Sequence, residues 1–236
     1  MANTFLTAEW RKLVMANYAI DKKVLQPYLP AKTELDLWNN NCYVSLVSFR
    51  FQNVKLRGFS IPLHTNFEEV NLRFYVRYKS SEGWKRGVVF ISEIVPRRAI
   101  TFVANTLYGE KYATMPMAHS WTEKEDTLTV SYQWKKKNWN ELKVTTSINP
   151  FVIAKGSEEE FITEHYWGYA KLKNNGTNEY EVAHPRWEVY QTKTYLIDVD
   201  FESIYGKDFQ FLQHQKPASV FLAEGSAVSI KAGKKI

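Results

Sequence analysis

The chain has 236 residues, of which 44% are hydrophobic and 15% aromatic, and a formal net charge of +6. Six of its 31 basic residues are lysines within the short segments 135–137 and 231–235, and the other 25 equal the acidic residues in number. Because nucleic-acid-binding proteins usually spread basic residues over one face, this charge favours solvated tips over a nucleic-acid surface.

The first half of the chain is predicted to alternate between short helices and strands. Asp21 is a candidate N-cap for a helix over 21–30, which Pro27 and Pro30 shorten. The segments 42–51, 71–78 and 87–95 have the alternating or continuous apolar pattern of strands. The spacing then becomes helical, which predicts a helix over about 97–108 that is capped by Gly109.

The second half is predicted to be mostly hairpins. Strands flank "KKKNWN", so that the lysine run lies at a hairpin tip, and a second pair flanks "KNNGTN", where Asn175-Gly176 favours a tight turn. Ser157 and Glu160 have the spacing of a capping box, which predicts a helix running to about Tyr166. The segment 219–230 is a further strand. The whole predicts one β-rich (α+β) domain over 1–236, antiparallel with a few short helices.

Several classes of site have no signature in the sequence. It lacks the glycine-rich phosphate-binding motifs, the HExxH metalloprotease motif and the GxSxG nucleophile motif. The five histidines have no metal-ligand spacing, so no metal and no cofactor is expected. Cys42 is the only cysteine and is expected to be an unreactive thiol. Without an apolar signal segment or an apolar run of about 18 residues, the protein is expected to be cytoplasmic.

One strand carries a row of polar groups that could form a site. Glu69, Asn71, Arg73, Tyr75 and Arg77 alternate with an apolar row and therefore share one face of a sheet. Such a face lies either against solvent or against a polar cavity in a curved sheet. The pattern alone leaves both possibilities open.

Four further residues have a catalytic and a structural interpretation each. Glu164 could be an acid–base group or the partner of an arginine, and its neighbour His165 could do the same chemistry or pack. His184, before Pro185, could be a catalytic base, although a rigid start to a strand is the simpler interpretation. Lys111 follows Glu110, whose charge would raise the lysine pKa and so argues against an activated amine.

Four stretches together resemble the YqjF-like family of uncharacterised bacterial proteins, a domain of unknown function in the acetoacetate-decarboxylase-like superfamily. They occur in the family's order, and the resemblance spans about residues 21–191. The stretches are "EEVNLRFYVR", "GVVFISEIVPRRAITFVANTLYGEKYATMPM", "GSEEEFITEHYWGY" and "HPRWEVYQ". The resemblance implies a closed or nearly closed antiparallel β-barrel around a small-molecule cavity, with helices packed outside.

The resemblance also implies roles for individual residues. The decarboxylases of that superfamily use a lysine that forms a Schiff base, followed directly by a second lysine. By similarity, Tyr108 matches a tyrosine of that motif, Lys111 the second lysine, and Glu110 stands where the Schiff-base lysine should be. Glu69 is similar to a substrate-side glutamate and Arg11 to the arginine that helps position the substrate. Since a glutamate cannot form an imine, this chain departs from the decarboxylases at the reacting residue.

The sequence therefore predicts a small-molecule-binding β-barrel protein that acts on or senses a small organic carboxylate or carbonyl compound. Its candidate catalytic residues are Lys111, Glu110 and Glu69. The candidate ligand-binding residues are Arg11, Asn71, Arg73, Tyr108, Glu164 and His184. One alternative is a lysine-dependent decarboxylase or aldolase using Lys111, and another is a nucleic-acid or protein interaction module. No membrane or nucleic-acid partner is expected, a homodimer is a guess from the superfamily, and the ligand is left open.

Overall fold

The computed structural model describes residues 4–107, 109–172 and 175–236, and strands dominate it. The described strands are β1 Thr4–Ile20, β2 Thr33–Leu35, β3 Cys42–Leu56, β4 Phe67–Ser80, β5 Gly83–Val95, β6 Tyr112–Thr114, β7 Met117–Lys124, β8 Thr127–Lys135, β9 Trp139–Val152, β10 Trp167–Lys171, β11 Thr177–Ala183, β12 Glu188–Asp198, β13 Ser219–Lys231 and β14 Lys234–Lys235. The described α-helices are α1 Lys22–Leu25, α2 Arg98–Leu107, α3 Glu158–Thr163 and α4 Phe201–Tyr205. None of these helices has the length and apolar character needed to cross a bilayer.

All fourteen described strands belong to one sheet, in which twelve follow the order β14-β11-β10-β5-β4-β3-β1-β13-β12-β9-β8-β7, while β2 pairs with β4 and β6 with β5. Most neighbouring pairs are antiparallel, whereas β5 pairs in parallel with both β6 and β10. A further antiparallel pairing joins β11 to β13 through Val182 with Ile230 and Ala183 with Ser229. Strands β11, β10, β5, β4, β3, β1 and β13 are thus linked in a continuous circuit of hydrogen-bonded neighbours.

The longest strand, β1, lies inside the sheet between β3 and β13. No element was predicted there from the sequence. Its pairing with β3 shifts register between Thr7 and Glu9 and again between Arg11 and Val14, and Lys12 has a positive φ of 54°. A bulge inserts a residue and exchanges the two faces. The apolar alternation is therefore interrupted, which hides a strand of this length.

The two faces of β4 pack differently, as its alternation predicts. Leu72, Phe74 and Val76 belong to one large apolar cluster, and Tyr75, on the other face, belongs to a second cluster. Around Tyr75 the second face also carries buried polar groups, including Asn71 and Arg73. The polar row of β4 is therefore largely turned towards the interior, not towards solvent.

Two of the predicted helices are shorter in the structure. Asp21 caps α1 as predicted by accepting from the amide of Lys23, but the α-helix ends at Leu25 and a 3₁₀ turn follows. The predicted helix to Tyr166 is wrong by three residues, since α3 ends at Thr163. There the backbone amide of Tyr166 bonds instead to the carbonyl of Arg86 on β5. The helix predicted over 97–108 is confirmed as α2.

The capping of α3 is only partly as predicted. The hydroxyl of Ser157 accepts from the amide of Glu160, but the Glu160 carboxylate accepts from the amide of Gly156 and not from that of Ser157. The hairpin that carries the lysine run is confirmed by the pairing of Lys135 with Trp139. Asn175 has the positive φ, 59°, that suits the predicted tight turn between β10 and β11.

Candidate functional site

Two adjoining cavities lie within the strand circuit, with volumes of about 200 Å³ and about 70 Å³. They have a common wall, because six residues line both of them. These are Phe51, Glu69, Glu93, Tyr112, Tyr180 and Ile230. The polar part of this wall, together with Glu110 of the larger cavity, is named here the carboxyl cluster: Glu69, Glu93, Glu110, Tyr112 and Tyr180.

Strand pairing brings the carboxyl cluster together. Glu93 lies beside Asn71 across the β4–β5 pair and beside Tyr112 across the β5–β6 pair. The Tyr112 hydroxyl donates to Oε2 of Glu69 at 3.0 Å, and Asn71 Nδ2 donates to the other oxygen at 2.9 Å. The Tyr180 hydroxyl donates to Oε1 of Glu110 at 2.7 Å. Phenolic and amide donors therefore fix the orientations of two of the three carboxyl groups.

The three carboxyl groups hold protons more tightly than exposed glutamates do. Burial raises the pKa of Glu69 to about 7, against hydrogen bonds from Asn71 and Tyr112 that lower it. Burial likewise raises the pKa of Glu110 to about 7. The pKa of Glu93 is raised furthest, by burial first and then by the charges of Glu110 and Glu69. Near neutral pH the cluster thus contains protonated and ionised carboxyl groups side by side, which suits acid–base chemistry.

The smaller cavity contains a buried arginine without a counter-ion. Arg73 is 8% exposed and lines this cavity together with Asn71, and its Nε has no hydrogen-bond partner. Among the described residues no carboxylate forms an ion pair with its guanidinium. By contrast Arg77, four residues further along the strand on the same face, is half-exposed and bonds to Glu34 at 2.6 Å. A buried charge that lacks an ion-pair partner is costly.

Beyond the common wall the larger cavity is almost entirely apolar. Its apolar lining comes from β1, from β3 and the loop after it, from the start of β4 and from α2. These residues are Phe5, Leu6, Val54, Leu56, Ile61, Phe67, Ala99, Ile100, Val103 and Ala104. A pocket that is apolar apart from a few convergent polar groups is typical of small-molecule sites.

The structure brings five of the sequence-predicted site residues to the cavities. Glu69, Asn71 and Arg73 extend along β4, Glu110 lies in the segment after α2, and His184 lines the smaller cavity. The His184 ring stacks on Trp187 with centroids 4.2 Å apart. Burial lowers its pKa, so the ring is neutral at pH 7.

Three other candidates lie away from the cavity walls, and one lies outside the described residues. Arg11 bonds to Glu9 at 2.6 Å, and one oxygen of Glu164 accepts from the Tyr166 hydroxyl. Lys111 is exposed, and its Nζ lies 5.2 Å from the ring centroid of Tyr28. Tyr108 is not part of the described ranges. The predicted set is therefore split between the cavities and the surface.

The pKa of Lys111 moves in the direction opposite to that expected from Glu110. Partial desolvation of the amine lowers it most, although the residue as a whole is exposed, and the charge of Lys171 lowers it further. Together these two effects outweigh that of Glu110. The expectation of a raised pKa was wrong because it considered only the neighbour in sequence. Lys171 is sixty residues away in the chain.

Four residues of the site were not selected from the sequence. Glu93 lies within a continuous apolar strand, where a single charge carries no periodic signal. Tyr112 and Tyr180 resemble other core aromatics, and Trp10, which lines the smaller cavity, lies in the unpredicted strand β1. Knowledge that β5 is buried on both faces would have identified Glu93, because an unpaired buried carboxylate needs an explanation.

The residues that the structure describes include no group of three or more His, Cys, Asp or Glu side chains arranged to hold a metal ion. The donors that face the cavities are instead guanidinium, phenol, amide, imidazole and carboxyl groups. These groups can bind an organic acid directly.

The fold is shared with solved structures of acetoacetate-decarboxylase-like proteins. Acetoacetate decarboxylase from Legionella pneumophila matches with a TM-score of 0.65 at 15% identity, over 100% of this chain and 88% of that one. An acetoacetate decarboxylase-like enzyme from Sphingomonas wittichii matches with a TM-score of 0.67 at 9% identity, over 99% and 94%. The enduracididine biosynthesis enzyme MppR, complexed with pyruvate, matches with a TM-score of 0.68 at 10% identity, over 100% of this chain and 91% of that one.

Sequence comparison identifies a bacterial relative and a family. The chain is 28% identical to the uncharacterized protein YqjF of Bacillus subtilis over 183 residues, which are 75% of this chain and 72% of the relative. Residues 7–227 match the model of DUF2071, a family of uncharacterized conserved proteins. The chain therefore belongs to the DUF2071 family.

Proposed function

We propose that this protein binds a small organic acid whose carboxylate pairs with Arg73, whose reacting carbon lies beside the carboxyl cluster, and whose apolar part occupies the larger cavity. The observation that carries the proposal is the buried guanidinium of Arg73, which faces a cavity and has no ion pair within the described ranges. An arginine presents parallel N–H groups that match a carboxylate in two hydrogen bonds.

The electrostatics of the common wall support an anionic ligand. Glu69 is the carboxyl group whose pKa Arg73 lowers, yet burial keeps that pKa near 7. When Glu69 is protonated, Arg73 has no ion-pair partner within the described part of the chain, and a bound carboxylate would supply the missing charge. Ionisation of Glu69 and binding of an anion therefore compete, because an ionised Glu69 and a bound anion would both pair with Arg73.

The cluster supports proton transfer as the chemistry. Glu93, with the most strongly raised pKa, is the proton donor, and Glu69 or Glu110 is the acceptor. The acceptor and Glu93 lie on either side of a carbonyl compound. The acceptor takes a proton from the carbon next to the carbonyl group, and Glu93 gives a proton to the carbonyl oxygen, so that an enol forms. Such paired acid–base groups are the usual means of enolisation without an imine.

Imine chemistry is not part of this proposal. By the resemblance, Glu110 occupies the position of the Schiff-base lysine, and a carboxyl group cannot condense with a carbonyl. The amine of Lys111 packs over Tyr28 and does not line either cavity. Lysine-dependent decarboxylation would require Lys111 to turn inward past Glu110.

We further propose that the seven-strand circuit is a closed barrel and that the chain is one domain. The β11–β13 pairing supports closure, and the family match over 7–227 supports a single unit. The fold neighbour that is complexed with pyruvate supports a small acid as the class of ligand.

A thermal-shift panel tests the proposal. Octanoate, 2-oxooctanoate and 3-phenylpropionate are added to the protein at pH 6.5, with octanamide as the neutral control for octanoate. A ligand that binds only the folded state raises its stability by RT ln(1 + [L]/Kd), so the acids are expected to raise Tm and octanamide to raise it less. Equal shifts for octanoate and octanamide, or no shift with any acid, would overturn the proposal.

A further inference from the structure

A second buried group faces the smaller cavity, namely the imidazole of His165. The residue lines the cavity and its side chain is 1% exposed. Its Nε2 lies 3.1 Å from Oδ2 of Asp36, while its Nδ1 is buried and has no hydrogen-bond partner among the described residues. Asp36 does not line the cavity. Its carboxylate bonds to the Nε2 edge of the ring and leaves the Nδ1 edge for a ligand.

The partners of Asp36 determine which nitrogen carries the proton. Arg86 Nε lies 2.6 Å from the same Asp36 oxygen. Burial raises the pKa of Asp36, but the hydrogen bonds from His165 and Arg86 outweigh burial and hold it below its usual range. Asp36 is therefore ionised and can only accept hydrogen bonds, so the Nε2 of His165 must be the donor.

The remaining nitrogen is then a hydrogen-bond acceptor. Burial lowers the pKa of His165 to about 4, and the charges of Arg86 and Arg73 act in the same direction. A neutral ring whose proton is on Nε2 presents a lone pair at Nδ1. The Oδ1 of Asn71, in the same cavity, is also an acceptor without a partner.

The geometry points to a ligand that carries an O–H or N–H donor next to its carboxylate, as a 2-hydroxy acid does, with the donor bonding to Nδ1 of His165 while the carboxylate pairs with Arg73. This inference rests on the proposed function, because it takes Arg73 as the carboxylate site. Asp36 acts here as a positioning residue that fixes the tautomer of His165.

Calorimetric titration with three matched probes tests the inference: octanoate, 2-hydroxyoctanoate and 2-oxooctanoate. Because an acceptor left unsatisfied in a buried site is costly, wild-type protein is expected to bind 2-hydroxyoctanoate about tenfold more tightly than octanoate. His165→Leu is expected to lose the tenfold preference for 2-hydroxyoctanoate over octanoate. His165→Asn, which can place an amide oxygen near Nδ1, is expected to retain part of it.

The Asp36→Asn variant distinguishes the proposed positioning role of Asp36 from a purely structural role, because only the positioning role predicts a change in which probe binds most tightly. An asparagine can donate to Nε2, which transfers the ring proton to Nδ1 and converts the acceptor into a donor. The preference is then expected to change from 2-hydroxyoctanoate to 2-oxooctanoate. Arg86→Gln is the control, because it removes the other partner of Asp36 and leaves the carboxylate as acceptor, so the order of the probes should stay as in wild type.

The outcomes separate this inference from the proposed function. The role of His165 would be overturned, and the proposed function would stand, if wild-type protein bound all three acids tightly and with equal affinity. An unchanged preference in both His165 variants would have the same meaning. If none of the acids binds wild-type protein, the proposed function and this inference are both overturned. Circular dichroism of each variant confirms that it is folded before its titration is compared.

Discussion

The phenolic oxygen of Tyr112 lies 3.0 Å from a carboxyl oxygen of Glu69, although the two residues are 43 positions apart. The contact exists because the short strand β6 returns after α2 to pair with β5, which itself pairs with β4. The same return brings Glu110 to the carboxyl groups of Glu69 and Glu93. The segment after α2 therefore completes the site, and α2 also contributes part of the apolar cavity wall.

The ligand-free Arg73→Met protein is expected to be as stable as ligand-free wild type or more stable by about 1 kcal/mol. The substitution removes a buried charge that has no ion pair among the described residues and keeps an unbranched apolar side chain in its place. Urea unfolding at pH 7 measures the change. Arg77→Met on the same face is the control, with an expected effect within about 0.5 kcal/mol because its ion pair is exposed. Destabilisation by Arg73→Met of more than about 2 kcal/mol would show that Arg73 is neutralised within the fold.

The free energy of unfolding is expected to fall as the pH rises from about 4.5 to about 7 through the contribution of the carboxyl cluster. In that window the folded state keeps protons on Glu69 and Glu110 that the unfolded state has released. Stability decreases with pH wherever the folded state binds more protons. Above this window Glu69 and Glu110 are ionised in both states, whereas Glu93, whose pKa is raised furthest, still holds its proton in the folded state.

Glu93→Gln tests this contribution, because it removes the carboxyl group with the most strongly raised pKa. The unfolding free energy of the Glu93→Gln protein should fall less steeply with rising pH than that of wild type, as measured by urea unfolding between about pH 4.5 and about pH 7. Glu82→Gln is the control at an exposed position. Parallel pH profiles for wild type and Glu93→Gln would contradict the assignment of raised pKa values to the cluster.

Gly168→Ala is expected to destabilise the protein by about 1–3 kcal/mol and to weaken binding of an acid. A Cβ at this position would lie 2.1 Å from the ring of Tyr180, on the partner strand. The ring must therefore move, which strains the packing and displaces the hydroxyl that bonds to Glu110. Thermal unfolding and octanoate titration measure the two effects. A variant with wild-type stability and affinity would show that Tyr180 does not need its present position.

No covalent adduct is expected when the protein is treated with 2-oxooctanoate or pyruvate and borohydride. The pKa of Lys111 is lowered, as an imine-forming amine requires, but its amine lies over Tyr28 and not in a cavity. Intact-mass spectrometry measures the adduct, with Lys111→Gln as the control. A stoichiometric adduct that disappears in the variant would show that Lys111 reaches the substrate and would favour the lysine-dependent alternative.

The polar face of β4 could be predicted from the sequence, whereas its partners could not. Period two places Glu69, Asn71 and Arg73 on one face, and the structure shows that this face lines the cavities. Tyr180 and His165 reach the same space only through the pairing of β11, β10 and β5. Sequence periodicity says nothing about which strands become neighbours, so Tyr180 could not be identified, and for His165 a catalytic and a packing interpretation both stayed open.

The orientation of Lys111 shows a second limit of sequence reasoning. Glu110 lines the larger cavity, whereas its neighbour Lys111 is exposed and lines neither cavity. The resemblance placed both residues at the reacting centre. Which of them faces inward depends on the hydrogen bond between Tyr180 and Glu110, a contact between residues that are 70 positions apart.

Calorimetric titration of octanoate into wild-type, Arg73→Gln and Arg77→Gln proteins at pH 6.5 tests the central claim most directly. The two arginines share a strand and a face, but only Arg73 is buried at a cavity. Arg73→Gln is expected to weaken binding by tenfold or more, since a charge-assisted pair to a carboxylate contributes about 1.5–3 kcal/mol, and Arg77→Gln is expected to bind as wild type does. Equal affinity of wild-type and Arg73→Gln proteins, or a loss of the same size in Arg77→Gln, would contradict the assignment of Arg73 as the carboxylate site.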